Sequence, residues 1–163
     1  MNMFKNLKDV YEILVKDEIL LRLLYYPSED FDDSPLSDDK PNILNKSTTE
    51  KWDIINELIK TTNKTSDLTE ESRCRICVYM GNRRETRNNA VANQQVVFDI
   101  YAPIDWDEIS FRLTQICDTI DKLFCGQRIT GLGKTDSHIG GVIVAPSGFI
   151  GYRLIYDFGS AKS

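Results

Sequence analysis

The run QQVVFDIYAPIDWDEISFRLTQICDTIDKLFCG, residues 94–126, decides the fold, because its apolar spacing changes from two to about 3.6 within one segment. In its first part Val96, Phe98, Ile100 and Ala102 fall on one face of a strand, with Val97, Asp99 and Tyr101 on the other. Pro103 closes that strand. Asp105 then supplies a helix cap, and Glu108, three residues on, completes a capping box. Ile109, Leu113, Ile116, Cys117, Ile120, Leu123 and Phe124 recur at three- and four-residue steps along one stripe. Arg112, Gln115, Asp118, Thr119 and Lys122 take the opposite side, and Gly126 ends the helix. The spacing predicts one helix over 105–124, lying on a sheet.

Upstream, residues 73–80 alternate as a strand, with Cys74, Ile76, Val78 and Met80 on one face and Arg75, Cys77 and Tyr79 on the other. Residues 81–94 are long for a hairpin turn, and Arg83, Arg84 and Arg87 mark them as a projecting polar arm. Downstream, residues 128–134 read as a third strand and 139–144 as a short additional one. Pro146, Ser147 and Gly148 supply a turn into a last strand over 149–158, where Ile150, Tyr152, Leu154 and Tyr156 share a face. Residues 159–163 read as a loose tail.

The amino-terminal third is helical. Phe4, Leu7, Tyr11 and Leu14, then Ile19, Leu20, Leu23 and Leu24, describe one helix, or two with Asp17 capping the second, stopped by Pro27. Residues 29–41 form an acidic loop carrying Asp30, Asp32, Asp33, Asp38 and Asp39. Its carboxylates echo calcium-loop spacing, yet Pro35 stands where glycine makes the turn and Pro41 where a bidentate Glu is needed, so the loop reads as solvated and mobile. Ser47 and Glu50 box a short helix through Trp52, Ile55 and Leu58, ending near Thr61, and 62–72 is a polar connector.

Helices followed by strands give an α+β class in a single domain, 1–163. It comprises a helical part, 1–72, and a sheet core, 73–158. The core is a mainly antiparallel sheet of about four strands in the order β-β-α-β-β, covered by the central helix.

The chain has 163 residues, 41% of them hydrophobic, and a net charge of −5, which is the wrong sign for a general nucleic-acid binder. No apolar run approaches a membrane span of about 18 residues. Cys74 and Cys77 share a C-x-x-C, but three residues apart on a strand they point to opposite faces, and Cys117 and Cys125 lack matching spacing for zinc. Gly131-Leu-Gly133-Lys134-Thr135 imitates a phosphate loop, yet Arg128 stands where its first glycine belongs and no helix follows. His138 is the single histidine, and its neighbours Asp136 and Ser137 do not make a triad with it. No catalytic residue, metal site or cofactor is expected, and the chain reads as non-enzymatic.

The order helix, strand, long arm, strand, helix, strand, strand over 73–158 resembles the tail terminator proteins of long-tailed bacteriophages and their relatives in head-to-tail joining. The residues that carry it are the strand 95–102 with Pro103, the helix from Asp105, the strand ending Gly131-Leu-Gly133-Lys134, and the closing strand 151–156. The resemblance implies a ring of its own copies, typically six. The ring caps the tail tube protein and faces the head–tail connector, with DNA passing through its lumen. It implies assembly in the host cytoplasm and residence in the virion. Arg83, Arg84 and Arg87 are then expected to meet the acidic loop, Asp30 to Asp39, of an adjacent copy. The alternatives are another neck component, a small nucleotide-binding enzyme and a stand-alone regulatory interaction domain.

Overall fold

The strand that opens residues 94–126 is the middle of a five-stranded sheet. The computed structural model describes residues 1–68 and 73–162, so 69–72 of the connector and Ser163 of the tail lie outside the described residues. Helices α1 (Met3–Lys16), α2 (Glu18–Tyr25) and α3 (Thr48–Leu58) precede β1 (Ile59–Lys60), β2 (Arg75–Glu85) and β3 (Val91–Pro103). Helices α4 (Ile104–Ser110) and α5 (Arg112–Phe124) lead to β4 (Leu132–Ile143) and β5 (Phe149–Ala161). The order across the sheet is β1-β2-β3-β5-β4. Strand β1 is parallel to β2 and the other pairs are antiparallel. The α+β class with amino-terminal helices holds, with one strand more than expected.

Local chemistry sets the boundaries. The Asp17 carboxylate accepts the Leu20 N–H at 2.8 Å and separates α1 from α2. Ser47 Oγ accepts the Glu50 N–H at 3.4 Å at the start of α3. The helices bury Leu14, Leu20, Leu24, Ile116 and Ile120 against Val96, Phe98 and Ile100 of the sheet. Phe98 meets the rings of Phe124 and Tyr156 at 4.9 and 5.7 Å between centroids. Cys74 belongs to this core, whereas Cys77 packs on the other face of the sheet with Leu68 and Tyr101. The two sulfurs are therefore on opposite sides of β2, as their spacing requires.

Four expectations are corrected. The helix over 105–124 is broken: Phe111 is left-handed, with φ 53°, and separates α4 from α5. Asp105 caps neither, and α4 starts from Pro103 without a side-chain cap. The break turns Arg112, expected on the polar side, inward. Its buried guanidinium donates to Leu23 O (2.8 Å), Tyr26 O (2.5 Å) and Ser28 Oγ (2.9 Å), neutralising the carboxyl end of α2. Asp107 secures the junction by accepting the Leu113 N–H at 3.0 Å.

The second correction is the arm. β2 and β3 stay paired to Glu85↔Ala92 past an irregularity after Met80, so only the turn between them, pinned by Thr86 and Asn88, is free of the ladder. Third, residues 128–134 and 139–144 are not two strands, because β4 runs from Leu132 to Ile143 along β5 with two bulges. Fourth, the tail is strand through Ala161. Ser160 is fully buried, accepting from Asn6 Nδ2 and Arg83 Nη1, both at 3.1 Å.

Candidate interaction surfaces

Among the described residues no group of three His, Cys, Asp or Glu side chains converges as a metal site, and no helix is long and apolar enough to cross a membrane. The Gly131 to Thr135 run enters β4 rather than a helix, and Gly131, at φ 65°, has no room for a side chain: a Cβ would sit 2.1 Å from Gly159 O. His138 Nδ1 lies 2.9 Å from Asp157 Oδ2 on the sheet, a pairing between strands. The features left without an internal role are surfaces, and they differ from one end of the sheet to the other and from edge to edge.

The basic hairpin closes one end. Arg83 is committed inside the chain, donating to Gln94 Oε1 (3.3 Å), Ser160 Oγ (3.1 Å) and Ala161 O (2.9 Å), and so acts as a strut between β2, β3 and β5. Arg84 and Arg87 are exposed. The acidic loop closes the other end, tied there because α2 meets the start of β2 through Cys74 N–H to Leu24 O, 3.3 Å.

This loop is held rather than free. Arg22 donates to Ser37 O (3.2 Å) and Lys40 O (2.8 Å), Asp30 accepts the Asp32 and Asp33 N–H groups at 2.9 Å, and Asp33 pairs with Lys40. The Lys40 ammonium and the Glu29 N–H hold the Asp33 carboxyl below the usual range. Asp32, Asp38 and Asp39 stay exposed, joined at this end by exposed Asp105 and Glu108 at the start of α4. From Arg75 to Glu85 the strand spans roughly 30 Å, so the loop and the hairpin of one copy do not meet.

The edges differ as well. β4 is the outer strand on one side, and residues 139–144 along it, Ile-Gly-Gly-Val-Ile-Val, carry no charge. Ile139 is 57%, Val142 85% and Val144 95% exposed. Soluble proteins blunt such edges with Lys, Pro or a covering loop, and this stretch has none of these. At the opposite edge β1 covers only Ile76 and Cys77 of β2, and from Val78 onward β2 has no outer strand among the described residues. In the sequence 139–144 reads only as a short additional strand, and the signal that it forms an exposed apolar edge is the absence of any charge among its four β-branched residues, Ile139, Val142, Ile143 and Val144.

The face of the sheet away from the helices is closed by its own contacts. The Arg153 guanidinium grips the fully buried Asp99 carboxylate at 2.6 and 3.0 Å, and Tyr79 O–H donates to the same carboxylate at 2.6 Å. Burial and that carboxylate push the Tyr79 phenol up to about 12. Beside it, Arg75 donates to Glu57 O (2.9 Å), Lys64 O (3.1 Å) and both oxygens of Asp67 (2.5 and 3.0 Å), clamping the loop after β1 across β2.

The YomW family model matches residues 17–158. The chain belongs to the YomW family. It is similar to the SPbeta prophage-derived uncharacterized protein YomW of Bacillus subtilis (strain 168), at 34% identity over 94% of each chain. The YomW family is thus phage-derived, which agrees with the phage origin implied by the strand order.

Proposed function

We propose that this YomW-family chain is a virion assembly protein whose copies join edge to edge into a ring at the top of a phage tail tube, in the manner of a tail terminator. The observation that carries this reading is the bare, uncharged second half of the β4 edge, residues 139–143. An exposed apolar strand of this kind is tolerated where a partner strand covers it. Within the sheet β4 runs antiparallel to β1 and β2, so the β4 edge of one copy meets the β1–β2 side of the next in the antiparallel sense, the more stable pairing. Residues 139–143 are then level with Arg75 to Tyr79, that is, with the short β1 and the first open residues of β2. The two edges are different surfaces, and a contact between different surfaces propagates head to tail and closes as a ring. The same geometry revises the pairing expected between arginines and carboxylates. In a ring joined at its sheet edges the strands of neighbouring copies stay level, so Arg84 and Arg87 gather on one rim and Asp32, Asp38 and Asp39 on the other. Each rim is then dominated by one sign of charge, with Glu85 the exception among the arginines, and one rim faces the tail tube and the other the head connector. Assembly takes place in the host cytoplasm and the product stays in the virion.

The test is deletion of the coding gene from the encoding phage, followed by electron microscopy of the particles. Tails of uncontrolled length without heads are the terminator outcome. Tails of normal length beside filled heads point to another neck component, the second reading that the two-rimmed charge pattern favours. Normal virions overturn both.

A further inference from the structure

Two apolar grooves lie at opposite margins of the helix layer. The first, about 390 Å³, runs between α5 and β5 and is lined by Leu113, Cys117, Tyr152 and Leu154, with exposed Asp118 and Asp121 completing it. Its floor strand pairs with β4, since Tyr152 and Leu154 are the partners of Val142 and Gly140, so this groove opens towards the β4 edge. The second, about 260 Å³, is formed by Phe4, Leu7 and Tyr11 of α1 with Lys8 and Thr61. Thr61 directly follows β1, so this groove opens towards the other edge. Phe4 is 83% exposed, an aromatic ring presented to solvent from the first turn of α1, flanked by exposed Lys5 and Lys8.

Resting on the ring reading above, we infer that the side of α1 bearing Phe4 and Lys8 docks into the α5–β5 groove of the adjacent copy, so that a helix-layer contact locks the strand-edge contact. The two grooves lie on the same side of the sheet, because α1 and α5 both pack on the face that carries Phe98 and Tyr156. When β4 of one copy meets the β2 side of the next, the margins that hold them come together. Their charges are complementary: Lys8 accompanies Phe4, and Asp118 and Asp121 flank the receiving groove. A copy cannot satisfy itself in this way, since four strand spacings, roughly 20 Å, separate β1 from β4. The occupant is therefore a second copy of this chain. Leu113, Cys117 and Leu154, half-buried in the single chain, become covered when the Phe4 ring is seated.

The unmodified protein serves for the test, alone and with purified tails of the encoding phage. Carbodiimide joins a lysine ammonium to a carboxylate only at contact, and peptide mass spectrometry then reads which residues were joined. The expected result is Lys8 joined to Asp118 or Asp121, found in the oligomer band and not in the monomer band. Phe4→Ala, a change at an exposed position that spares the fold, is expected to weaken assembly by about tenfold in sedimentation. Lys8→Glu and Asp118→Lys are each expected to weaken it roughly fivefold, and together to restore it. Oligomers in which Lys8 is joined only to Glu12 of its own helix or to other residues outside the groove, and which Phe4→Ala leaves unaffected, overturn the groove contact and leave the strand-edge ring standing. A chain that stays monomeric at every concentration, with tails present, overturns both.

Discussion

At the scale of single residues, most of the conspicuous side chains hold this fold together. Arg75 is the clearest case: a buried guanidinium that fastens the loop after β1 through Lys64 O and the Asp67 carboxylate, and the end of α3 through Glu57 O. Its hydrogen bonds hold the Asp67 carboxyl at about 2, below the ordinary value near 3.9. A carboxyl depressed on folding adds stability above its unfolded pKa, and that contribution is lost as pH falls from about 4 towards 2. Thermal unfolding followed across this window should show the wild type losing melting temperature more steeply than Asp67→Asn, which starts lower and stays flatter. Equal slopes would remove Asp67 from the acid response. Gly131 offers a second check. With φ at 65° and Gly159 O where a Cβ would lie, Gly131→Ala should cost about 2 kcal/mol or more in chemical denaturation. A neutral result there would mean that the backbone of β5 yields, and would reopen the question of why this run is rich in glycine.

At the scale of elements, the break at Phe111 separates what was legible from what was not. Phe111 is 63% exposed and left-handed, a conformation that costs a side-chain-bearing residue about 1 kcal/mol. Phe111→Gly should therefore raise stability by about that amount in denaturant melts, provided α4 and α5 keep their junction at Asp107. The apolar stripe of residues 109–124 continues through the break, so periodicity alone reports one helix where there are two. The faces of β2 and β3, the two-helix start at Asp17 and the cap at Ser47 were readable because strict alternation or a capping side chain encodes each of them. The paired arm was not, because Arg83 and Gln94 are satisfied by distant Ser160 and by backbone rather than by apolar contact. Ser160 likewise reads as tail until Asn6 and Arg83 reach it. β4 reads from sequence as two pieces, 128–134 and 139–144, because the polar run Thr135 to His138 between them signals a turn, whereas β5 supplies a ladder that carries this run through two bulges. The element-scale prediction follows from its edge. Val142 is 85% exposed, so Val142→Lys should leave the monomer's melting temperature unchanged while abolishing the oligomer seen by sedimentation. An oligomer of undiminished size would place the contact elsewhere.

At the scale of the molecule, the decisive property is that the sheet has two unlike edges and two oppositely charged ends. In the proposed ring, edges set how copies meet one another and ends set what the assembly meets. If this division is right, charge changes at the ends and apolar changes at the edges act on different steps. Arg84→Glu with Arg87→Glu should leave ring size unchanged, because both exposed arginines lie at the hairpin end of β2, level with the start of β4 and away from its uncharged stretch 139–143. The same pair should impair joining of the ring to whichever partner carries the acidic surface. Raising ionic strength should weaken wild-type joining too, since screening shortens the reach of exposed charges to about 8 Å at 0.15 M salt. Asp38→Lys with Asp39→Lys should spare the ring and impair the opposite joint. Measured in extracts lacking the protein, one double variant is expected to leave uncapped tails and the other to leave capped tails unattached to heads. Both variants failing at the same step would show that the two charged ends serve one partner, and the ring would then not bridge tube and connector.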